Sequence, residues 1–348
     1  MKKVLGIETS CDDTSVAIVS DNGQVLSVVS ANQDLAHAPF GGVVPEIACR
    51  NHTMNLLPLV EEAFKKSNLQ WTDIDGIAVT NRPGLIGSLI VGLVTAKTLA
   101  QAKNLPLIGI NHLEGHIVAP LLRDEQYQPP ADFQYPFIAL AISGGHTTIY
   151  HVHNFGRYEI LGATLDDAAG EAYDKFAKML GLEFPGGVKV DHLAQKGDAQ
   201  KYDFPRSMIK DPHFNMSFSG LKSAAHRLLQ TMSADEIKTN LPDLCASFQE
   251  AVVDVLISKL DRAVKEKKLK RAIVTGGVSA NSRLRQRAQE WAAANKVQLV
   301  IPPLRYCTDN AAMIAYAGLI RLRSGERDDL SLAPSPSPLA TDFLDGVR

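Results

Sequence analysis

The sequence predicts an α/β protein of two similar lobes, because its two halves repeat one order of strands, turns and helix. The strand pattern of residues 4–29 recurs in residues 137–163, with buried apolar runs separated by short polar turns. A strand, a glycine-containing turn and a helix follow in both halves, at 74–102 and at 271–294. The chain has 348 residues, enough for two such lobes, and its 45% apolar residues are typical of a globular protein.

The first half begins with three predicted strands, at 4–8, 15–19 and 24–29. The polar turn TSCDDT follows the first strand, and the hairpin turn DNG follows the second. A fourth strand, 74–80, leads through NRPG into an apolar helix over 85–102. The uncharged stretch of that helix is too short to span a bilayer, and acidic residues end the N-terminal apolar run early. We therefore expect a cytoplasmic protein without membrane association.

The second half repeats this plan. Its strands are predicted at 137–143, 148–152 and 158–163, with the turn GGHT between the first two. The strand 271–275 then leads through GGVSAN into a helix over 282–294. Two lobes of this kind face each other in actin and the sugar kinases, where phosphates lie between the two first turns. The predicted fold is therefore a duplicated actin-like (ASKHA, ribonuclease H-like) two-lobe fold with a central cleft.

The proline-rich stretch 126–136 predicts the boundary between the lobes. We assign the first lobe to 1–130 and the second to 131–325. Residues 326–348 are rich in proline and serine and are predicted to form a C-terminal tail with little regular structure.

The charge balance limits how this protein can bind nucleic acid. It has 36 Lys and Arg against 38 Asp and Glu, a net charge of −2. A nucleic-acid partner would therefore need a local basic patch or a second subunit. The four cysteines lack CxxC spacing, which predicts neither a disulfide framework nor a four-cysteine zinc site.

The sequence HLEGH (112–116) indicates a metal site. On a helix, His112 and His116 share one face and can chelate one ion. A zinc peptidase of the HExxH type places its glutamate directly after the first histidine. Here Glu114 comes one position later, about 100° further around the helix. Asp309, in a polar cluster before a helix, is a candidate third ligand, although spacing alone does not select it.

Two glycine-containing turns are candidates for phosphate binding. GGVSAN (276–281) opens a helix, whose free N–H groups bind anions, and Asn281 could reach a ribose or base. Alternatively, this segment is a connector whose Ser and Asn only cap the helix. The turn SGGHT (143–147) suits either a tight hairpin or an anion nest.

Several acidic residues lie in segments that could line the cleft. Asp12 and Asp13 are in the first turn of the first half, where acids are usually turn formers but could serve catalysis or metal–phosphate chemistry. Asp174 is on a predicted helix and faces either the cleft or solvent. Asp191 follows PGG (185–187), a loop that can pass close to a ligand.

Nine segments occur in the order expected for one family. They are ETSCDDT (8–14), GGVVPEIACRNH (41–52), NHLEGH (111–116), SGGHT (143–147), DDAAGEAYDK (166–175), FPGG (184–187), SFSGLK (217–222), GGVSAN (276–281) and CTDNAAMIAYAG (307–318). In this set the chain resembles the tRNA threonylcarbamoyladenosine synthases of the TsaD type, from residue 4 to about 322. The resemblance agrees with the actin-like fold predicted from the repeat.

The resemblance implies an acyltransferase that acts on tRNA. Such proteins move a threonylcarbamoyl group from threonylcarbamoyl-AMP to N6 of the adenosine 3′ of the anticodon, in tRNAs reading codons that begin with A. The implied cofactor is one divalent metal, Fe2+ or Zn2+, bound by His112, His116 and Asp309. The implied partners besides tRNA are a smaller actin-like paralogue of the TsaB type and a P-loop ATPase of the TsaE type.

The resemblance also implies an adenylate site, in which ATP or ADP could bind as well. Its residues are Ala141, Ile142, Ser143, Gly144, Gly145, Asp174, Gly187, Asp191 and Asn281. Asp12 is our hypothesis for the group that accepts the proton of the attacking amine.

Three other functions stay open at this point. A metallopeptidase would use the HLEGH metal site, although its glutamate is displaced. An ATP-dependent small-molecule kinase or carbamoyltransferase on the same fold would turn over without tRNA. A non-catalytic scaffold would lack metal ligands, whereas all three candidates are present in this sequence.

Overall fold

The computed structural model describes residues 2–337, which form two compact α/β units. The first unit comprises residues 2–132 and 302–337, and the second comprises residues 133–301. Each unit is built on a five-stranded mixed sheet.

The sheet of the first unit has the strand order β3-β2-β1-β4-β5. Its strands are β1 (Lys3–Glu8), β2 (Thr14–Ser20), β3 (Val25–Ala31), β4 (Gly76–Arg82) and β5 (Leu107–Asn111). The first three strands pair antiparallel, whereas β4 and β5 extend the sheet in parallel from β1. The helices of this unit are α1 (Asp34–His37), α2 (Pro45–Ser67), α3 (Ile86–Lys103), α4 (His112–Val118) and α11 (Ala311–Arg323).

The sheet of the second unit has the strand order β10-β9-β6-β7-β8. Its strands are β6 (Phe137–Ile142), β7 (Thr147–Asn154), β8 (Arg157–Ala163), β9 (Arg271–Thr275) and β10 (Gln298–Val300). Here β6, β7 and β8 pair antiparallel, and β9 and β10 continue in parallel from β6. The helices are α5 (Ala169–Met179), α6 (Gly186–Ala194), α7 (Ser219–Gln230), α8 (Ala234–Thr239), α9 (Leu241–Glu266) and α10 (Ser282–Asn295).

The two sheets have the same topology, which confirms the predicted duplicated fold. Strands β6 to β10 take the places of β1 to β5, with the same parallel and antiparallel neighbours. Strands β5 and β10 are additional to the strands predicted from the sequence. Both are short parallel edge strands that follow a helix, and they carry too few residues for a clear periodic pattern.

Apolar side chains bury each sheet against helices. In the first unit, α2 and α3 pack against the sheet and against each other. In the second, Phe176 of α5 stacks on Phe248 of α9 with ring centroids 3.9 Å apart, inside the larger core. The predicted apolar helix 85–102 is α3. None of the helices in the described part of the chain combines the length and apolar character needed to cross a membrane.

Helix α11 packs against β1, β2 and β4, so residues 302–325 belong to the first unit. This corrects the predicted lobe boundary, which had assigned them to the second lobe. Two glycines permit the contact: a Cβ on Gly318 would lie 2.2 Å from Cβ of Ala78, and one on Gly6 would lie 2.3 Å from the carbonyl oxygen of Ala311. A helix far along the sequence therefore completes the first sheet, which local sequence patterns do not reveal.

The first part of the predicted tail also belongs to the first unit. The backbone N–H of Asp328 donates to the carbonyl of Leu107 at 2.9 Å, and its carboxylate accepts from Gly109 N at 2.8 Å. Leu332 packs against the first core, and Ser335 N donates to the carbonyl of Asn81 at 2.9 Å. The remainder of the predicted tail, 338–348, lies outside the described residues.

We predict that Gly318→Ala destabilises the first unit. This is the opposite of the usual effect, since alanine inside a helix is normally about 1 kcal/mol more favourable than glycine. The added methyl group has no room against Ala78, and overpacking of this kind costs about 1–3 kcal/mol. Urea denaturation of the full chain measures the change. The control is Gly87→Ala in α3, where the new Cβ would be 3.6 Å from Cys49. A Gly318→Ala protein as stable as the unsubstituted chain would contradict the packing argument.

Candidate metal centre and glycine-rich turn

The HLEGH histidines lie on α4, which begins directly after β5. The Asn111 side chain caps the helix by accepting a hydrogen bond from Leu113 N at 2.8 Å. His112 and His116 are both buried, and their rings meet edge to face with centroids 4.6 Å apart. The helical spacing therefore presents two imidazoles to one side of a short, capped helix.

Asp309, just before α11, is the third member of this group. Its Oδ1 lies 3.3 Å from Nε2 of His112 and 3.1 Å from Nε2 of His116. One ligand atom from each residue lies within 4.8 Å of the others, so the group could hold a metal ion. Two imidazole nitrogens and one carboxylate oxygen form a ligand set that suits zinc and ferrous iron.

Glu8, at the end of β1, orients His112. Its Oε2 lies 3.1 Å from His112 Nδ1, which leaves Nε2 directed at Asp309. The Glu8 carboxylate is fully buried and accepts hydrogen bonds from the Thr80 hydroxyl and the Ser10 N–H. A carboxylate behind a ligating histidine is a common second partner in metal sites. Sequence reasoning missed Glu8, although a charged residue that ends a buried strand is a signal, because such residues need partners.

Charge balance in this group favours a cation. Burial alone would raise the pKa of Glu8, but the charge and hydrogen bond of His112 hold it below its usual value. Burial likewise opposes protonation of His112, yet the carboxylates of Asp309 and Glu8 raise its pKa well above the usual range. The two acids thus draw a proton onto the imidazole between them. A divalent cation would supply that positive charge instead, with His112 neutral.

The turn between β1 and β2 adds further acids to the same unit. Burial raises the pKa of Asp13 to about 8, and the carboxylates of Asp309 and Asp12 contribute to the rise. Asp12, the predicted proton acceptor, adjoins Asp13 in this turn, and its role as acceptor stays a prediction. A bound cation would lower the pKa of Asp13 by the same electrostatics.

Glu114 takes no part in this group. Its buried carboxylate accepts two hydrogen bonds from Arg321 of α11, at 2.8 Å from Nε and 2.9 Å from Nη2. A bidentate pair of this kind fixes the carboxylate on the side of α4 that packs against α11. Glu114 is therefore not placed to activate a water on the metal, and the metallopeptidase interpretation loses its general base.

The glycine turn of the second unit follows β6. Residues 141–142 end the strand, and Ser143 closes the turn by donating its N–H to the carbonyl of His146 at 2.7 Å. Gly144 and Gly145 are exposed, and a Cβ on either would meet no atom within 4 Å. The turn therefore offers an open stretch of backbone that a ligand can approach closely.

Two further glycines allow neighbouring segments to approach this turn. Gly276, after β9, has a φ of +88°, and a Cβ there would lie 2.4 Å from the carbonyl oxygen of Ile142. Gly170, in the first turn of α5, would place a Cβ 2.6 Å from the carbonyl oxygen of Ser143. The second predicted glycine segment, GGVSAN, is thus brought beside the first, as expected from the parallel pairing of β6 and β9.

Asp174 and Gly187 are in contact with each other. The Oδ1 of Asp174 on α5 accepts from Gly186 N at 2.9 Å and from Gly187 N at 3.2 Å, at the start of α6. Asp174 therefore holds the PGG loop against α5. These contacts differ from a purely solvated face, and the ligand-binding role of Asp174 stays a prediction.

Asp191 and Asn281 both stabilise the start of α10. Asp191 accepts from the Ser282 hydroxyl at 2.7 Å and from the Ser282 N–H. Asn281 caps the helix by accepting from Leu284 N at 2.9 Å and donates to Gln249 Oε1 at 2.6 Å. The capping role that we had considered as the alternative for Asn281 is therefore present in the structure.

Solved structures define the class of fold. The chain superposes on full-length HypF in its phosphate- and nucleotide-bound form with a TM-score of 0.61 at 12% identity, covering 93% of this chain and 47% of that one. Component A of the (R)-2-hydroxyglutaryl-CoA dehydratase of Acidaminococcus fermentans gives a TM-score of 0.53 at 15% identity, covering 90% and 96%. The protein is of the actin-like α/β class, with a His–His–Asp group in its first unit.

Sequence relatives define the family. The family model described as TsaD, tRNA N6-adenosine threonylcarbamoyltransferase, matches residues 24–316. The Bdellovibrio bacteriovorus protein of that name is 65% identical over 343 residues, covering 99% of both chains. The Anaeromyxobacter dehalogenans protein of the same name is 48% identical over 338 residues, covering 97% of this chain and 99% of that one. The chain belongs to the tRNA N6-adenosine threonylcarbamoyltransferase family, which confirms the resemblance seen in the sequence.

We predict that Glu114→Gln lowers stability but leaves metal content unchanged, because Glu114 pairs with Arg321 and not with the histidine group. Losing a charged hydrogen-bonded partner here should cost about 1.5–3 kcal/mol. His116→Ala should instead lose the bound metal. Denaturation midpoints and elemental analysis of the purified proteins separate the two effects. Metal loss in Glu114→Gln would show that Glu114 supports the ion.

We predict that Glu8→Gln weakens metal binding about 10- to 100-fold, because the amide no longer orients and polarises His112 as a carboxylate does. Competition of the metal-stripped protein with a chromophoric chelator measures the dissociation constant. Glu46→Gln, at an exposed position on α2, is the matched control. Equal affinities for Glu8→Gln and the control would remove the proposed role of Glu8.

Proposed function

We propose that this protein transfers the threonylcarbamoyl group of threonylcarbamoyl-AMP to N6 of the adenosine 3′ of the anticodon, in tRNAs that read codons beginning with A. The observation that carries the proposal is full-length similarity, at 65% identity, to a relative named for threonylcarbamoyl transfer to tRNA adenosine. The His–His–Asp group adds support, since a scaffold protein has no need to keep a set of converging metal ligands. Neither a kinase nor a peptidase is favoured by any relative reported above.

We assign His112, His116 and Asp309 to one divalent ion, iron or zinc. Their donor atoms converge, and the proton-attracting carboxylates around His112 give a cation an electrostatic reason to bind. The ion would supply Lewis-acid polarisation or an anchor for the threonyl group. Glu8 would then keep His112 in the tautomer that leaves Nε2 free to ligate.

The adenylate is assigned to the second unit, at Ala141–Gly145 with Asp174, Gly187, Asp191 and Asn281. The exposed backbone of Gly144 and Gly145 suits a phosphate, which binds well to consecutive N–H groups. ATP or ADP could use the same turn. Asp174, Asp191 and Asn281 already hold neighbouring segments in place. We therefore expect these three to act mainly by shaping the site.

The transfer step needs orientation and proton removal more than bond activation. Threonylcarbamoyl-AMP is a mixed anhydride, so AMP is a good leaving group. The N6 amine attacks the carbamoyl carbon, the new C–N bond forms, and the C–O bond to phosphate breaks with its electron pair leaving on AMP. The amine loses one proton. Asp12, in the acidic turn after β1, is our candidate acceptor for that proton.

Binding of tRNA is assigned in part to partner proteins. A net charge of −2 gives this chain little general attraction for a polyanion. We expect two partners to contribute to tRNA binding: a smaller actin-like paralogue of the TsaB type and a P-loop ATPase of the TsaE type. Because the substrate is tRNA, we place the protein in the cytoplasm.

The proposal predicts modified adenosine when the purified chain is incubated with threonylcarbamoyl-AMP, unmodified tRNA and the two expected partners. His112→Ala should reduce product formation by at least about 100-fold, the scale of losing a main electrostatic contribution to transfer. Asp12→Asn should keep its metal but lose activity. Nucleoside analysis by mass spectrometry measures the product.

His226→Ala, at an exposed position on α7, is the matched control and should retain full activity. No modified adenosine from the unsubstituted chain with both partners present would contradict the proposed function. If His112→Ala formed as much product as the unsubstituted chain, the transfer function would stand, but the His112 group would have no role in it. Activity of Asp12→Asn near that of the control would exclude Asp12 as the proton acceptor.

A further inference from the structure

A second group of metal-ligand side chains lies on the hairpin β7–β8 in the second unit. His151 and His153 are two residues apart on β7, and Glu159 on β8 is the register partner of His151. Side chains two apart on a strand point to the same face, and directly opposed residues are neighbours across the pair. Three ligand-type side chains therefore meet on one face of two adjacent strands.

The three ligand atoms converge on one point. Glu159 Oε2 lies 3.2 Å from Nδ1 of His151 and 3.3 Å from Nε2 of His153, and all three atoms lie within 4.8 Å of one another. Ligands about 2.0–2.1 Å from a zinc ion at tetrahedral angles are roughly 3.3–3.4 Å apart. The two measured separations match this spacing without rearrangement of the strands.

The backbone and a neighbouring lysine set this arrangement. The pairing of β7 with β8 shifts register between Val152 and Asn154, so His153 is the extra residue of a bulge. Bulges re-aim side chains, and here the imidazole of His153 reaches the same carboxylate oxygen as His151. Lys267, just after α9, binds the other oxygen, Oε1, at 2.9 Å. Glu159 thus presents a single oxygen to the histidines.

The protonation states suit ligation. Burial lowers the pKa of His151, and the neighbouring His153 lowers it further. A neutral imidazole keeps the lone pair that a metal needs. Burial would raise the pKa of Glu159, but Lys267 holds it below its usual value, so the carboxylate is ionised. The side chains of the group are 13–32% exposed, which leaves an ion access from solvent.

We propose that His151, His153 and Glu159 bind a divalent transition-metal ion of the zinc type, with a fourth position open to water or another ligand. The site uses no residue of the His112 group and does not depend on the transfer activity. Lys267, which pairs with the other oxygen of Glu159, carries a positive charge that repels a bound cation. Removal of that charge should therefore tighten binding, whereas a purely hydrogen-bonded cluster would gain no metal affinity.

The test is a Co2+ and Zn2+ titration of the metal-stripped full chain carrying His112→Ala and His116→Ala, which removes the other group. We expect one equivalent of Co2+ to bind with the intense visible absorption of a four-coordinate ion. Zn2+ should displace it. His153→Ala should weaken binding at least about tenfold, and Lys267→Gln should tighten it severalfold. His226→Ala is the control for an exposed histidine and should change nothing.

Failure to bind a stoichiometric ion, or a His153→Ala affinity equal to that of the control, would overturn the proposal. Weaker binding in Lys267→Gln would also contradict it. If the double-histidine background does not fold, the unsubstituted chain provides the same test. His153→Ala should then remove one equivalent from the number that the unsubstituted chain binds, and His226→Ala should remove none.

Discussion

The close contact between helix α11 and the first sheet determines where the candidate metal group forms. Gly6 in β1 and Gly318 in α11 remove the side chains that would hold the two elements apart. Gly115 of α4 similarly leaves room for Ile314, with 2.9 Å between the position of a Cβ and Ile314 Cδ1. The loop before α11 then carries Asp309 to the histidines of α4. The ligand set thus depends on three glycines that let α11 lie close to the sheet and to α4. If α11 lay further away, the Asp309 carboxylate would be separated from the two imidazoles.

Charge governs the interior of this group. Glu8 and Asp309 flank the imidazole of His112, and the acids of the turn after β1 lie in the same unit. Ionised carboxylates in a buried region repel one another unless a positive charge compensates them. The proton drawn onto His112 is one form of compensation, and a divalent cation is a stronger one. The hydrogen bonds of Thr80 and Ser10 to Glu8 hold that carboxylate in its orientation.

The duplication supplies two copies of one scaffold with different first turns. In the first unit the turn between the first two strands carries Asp12 and Asp13, and the charge of Asp309 acts on Asp13. In the second unit the corresponding turn carries Gly144 and Gly145, with open space where side chains would be. The same strand order therefore carries the proposed metal group in one copy and the turn proposed for an anionic ligand in the other. The hairpin of the second copy bears the additional group around Glu159.

Local sequence patterns were sufficient to predict the repeated strand order, the shared helical face of His112 and His116, and the displaced position of Glu114. These features depend on the periods of strands and helices, which neighbouring residues set. Resemblance to the family added Asp309, which no spacing selects. Three features became visible only in the folded chain: residues 302–325 join the first unit, Glu8 contacts His112, and Glu114 pairs with Arg321. His116 and Asp309 are 193 residues apart, and contacts at such separations arise from packing between elements, which local patterns do not encode.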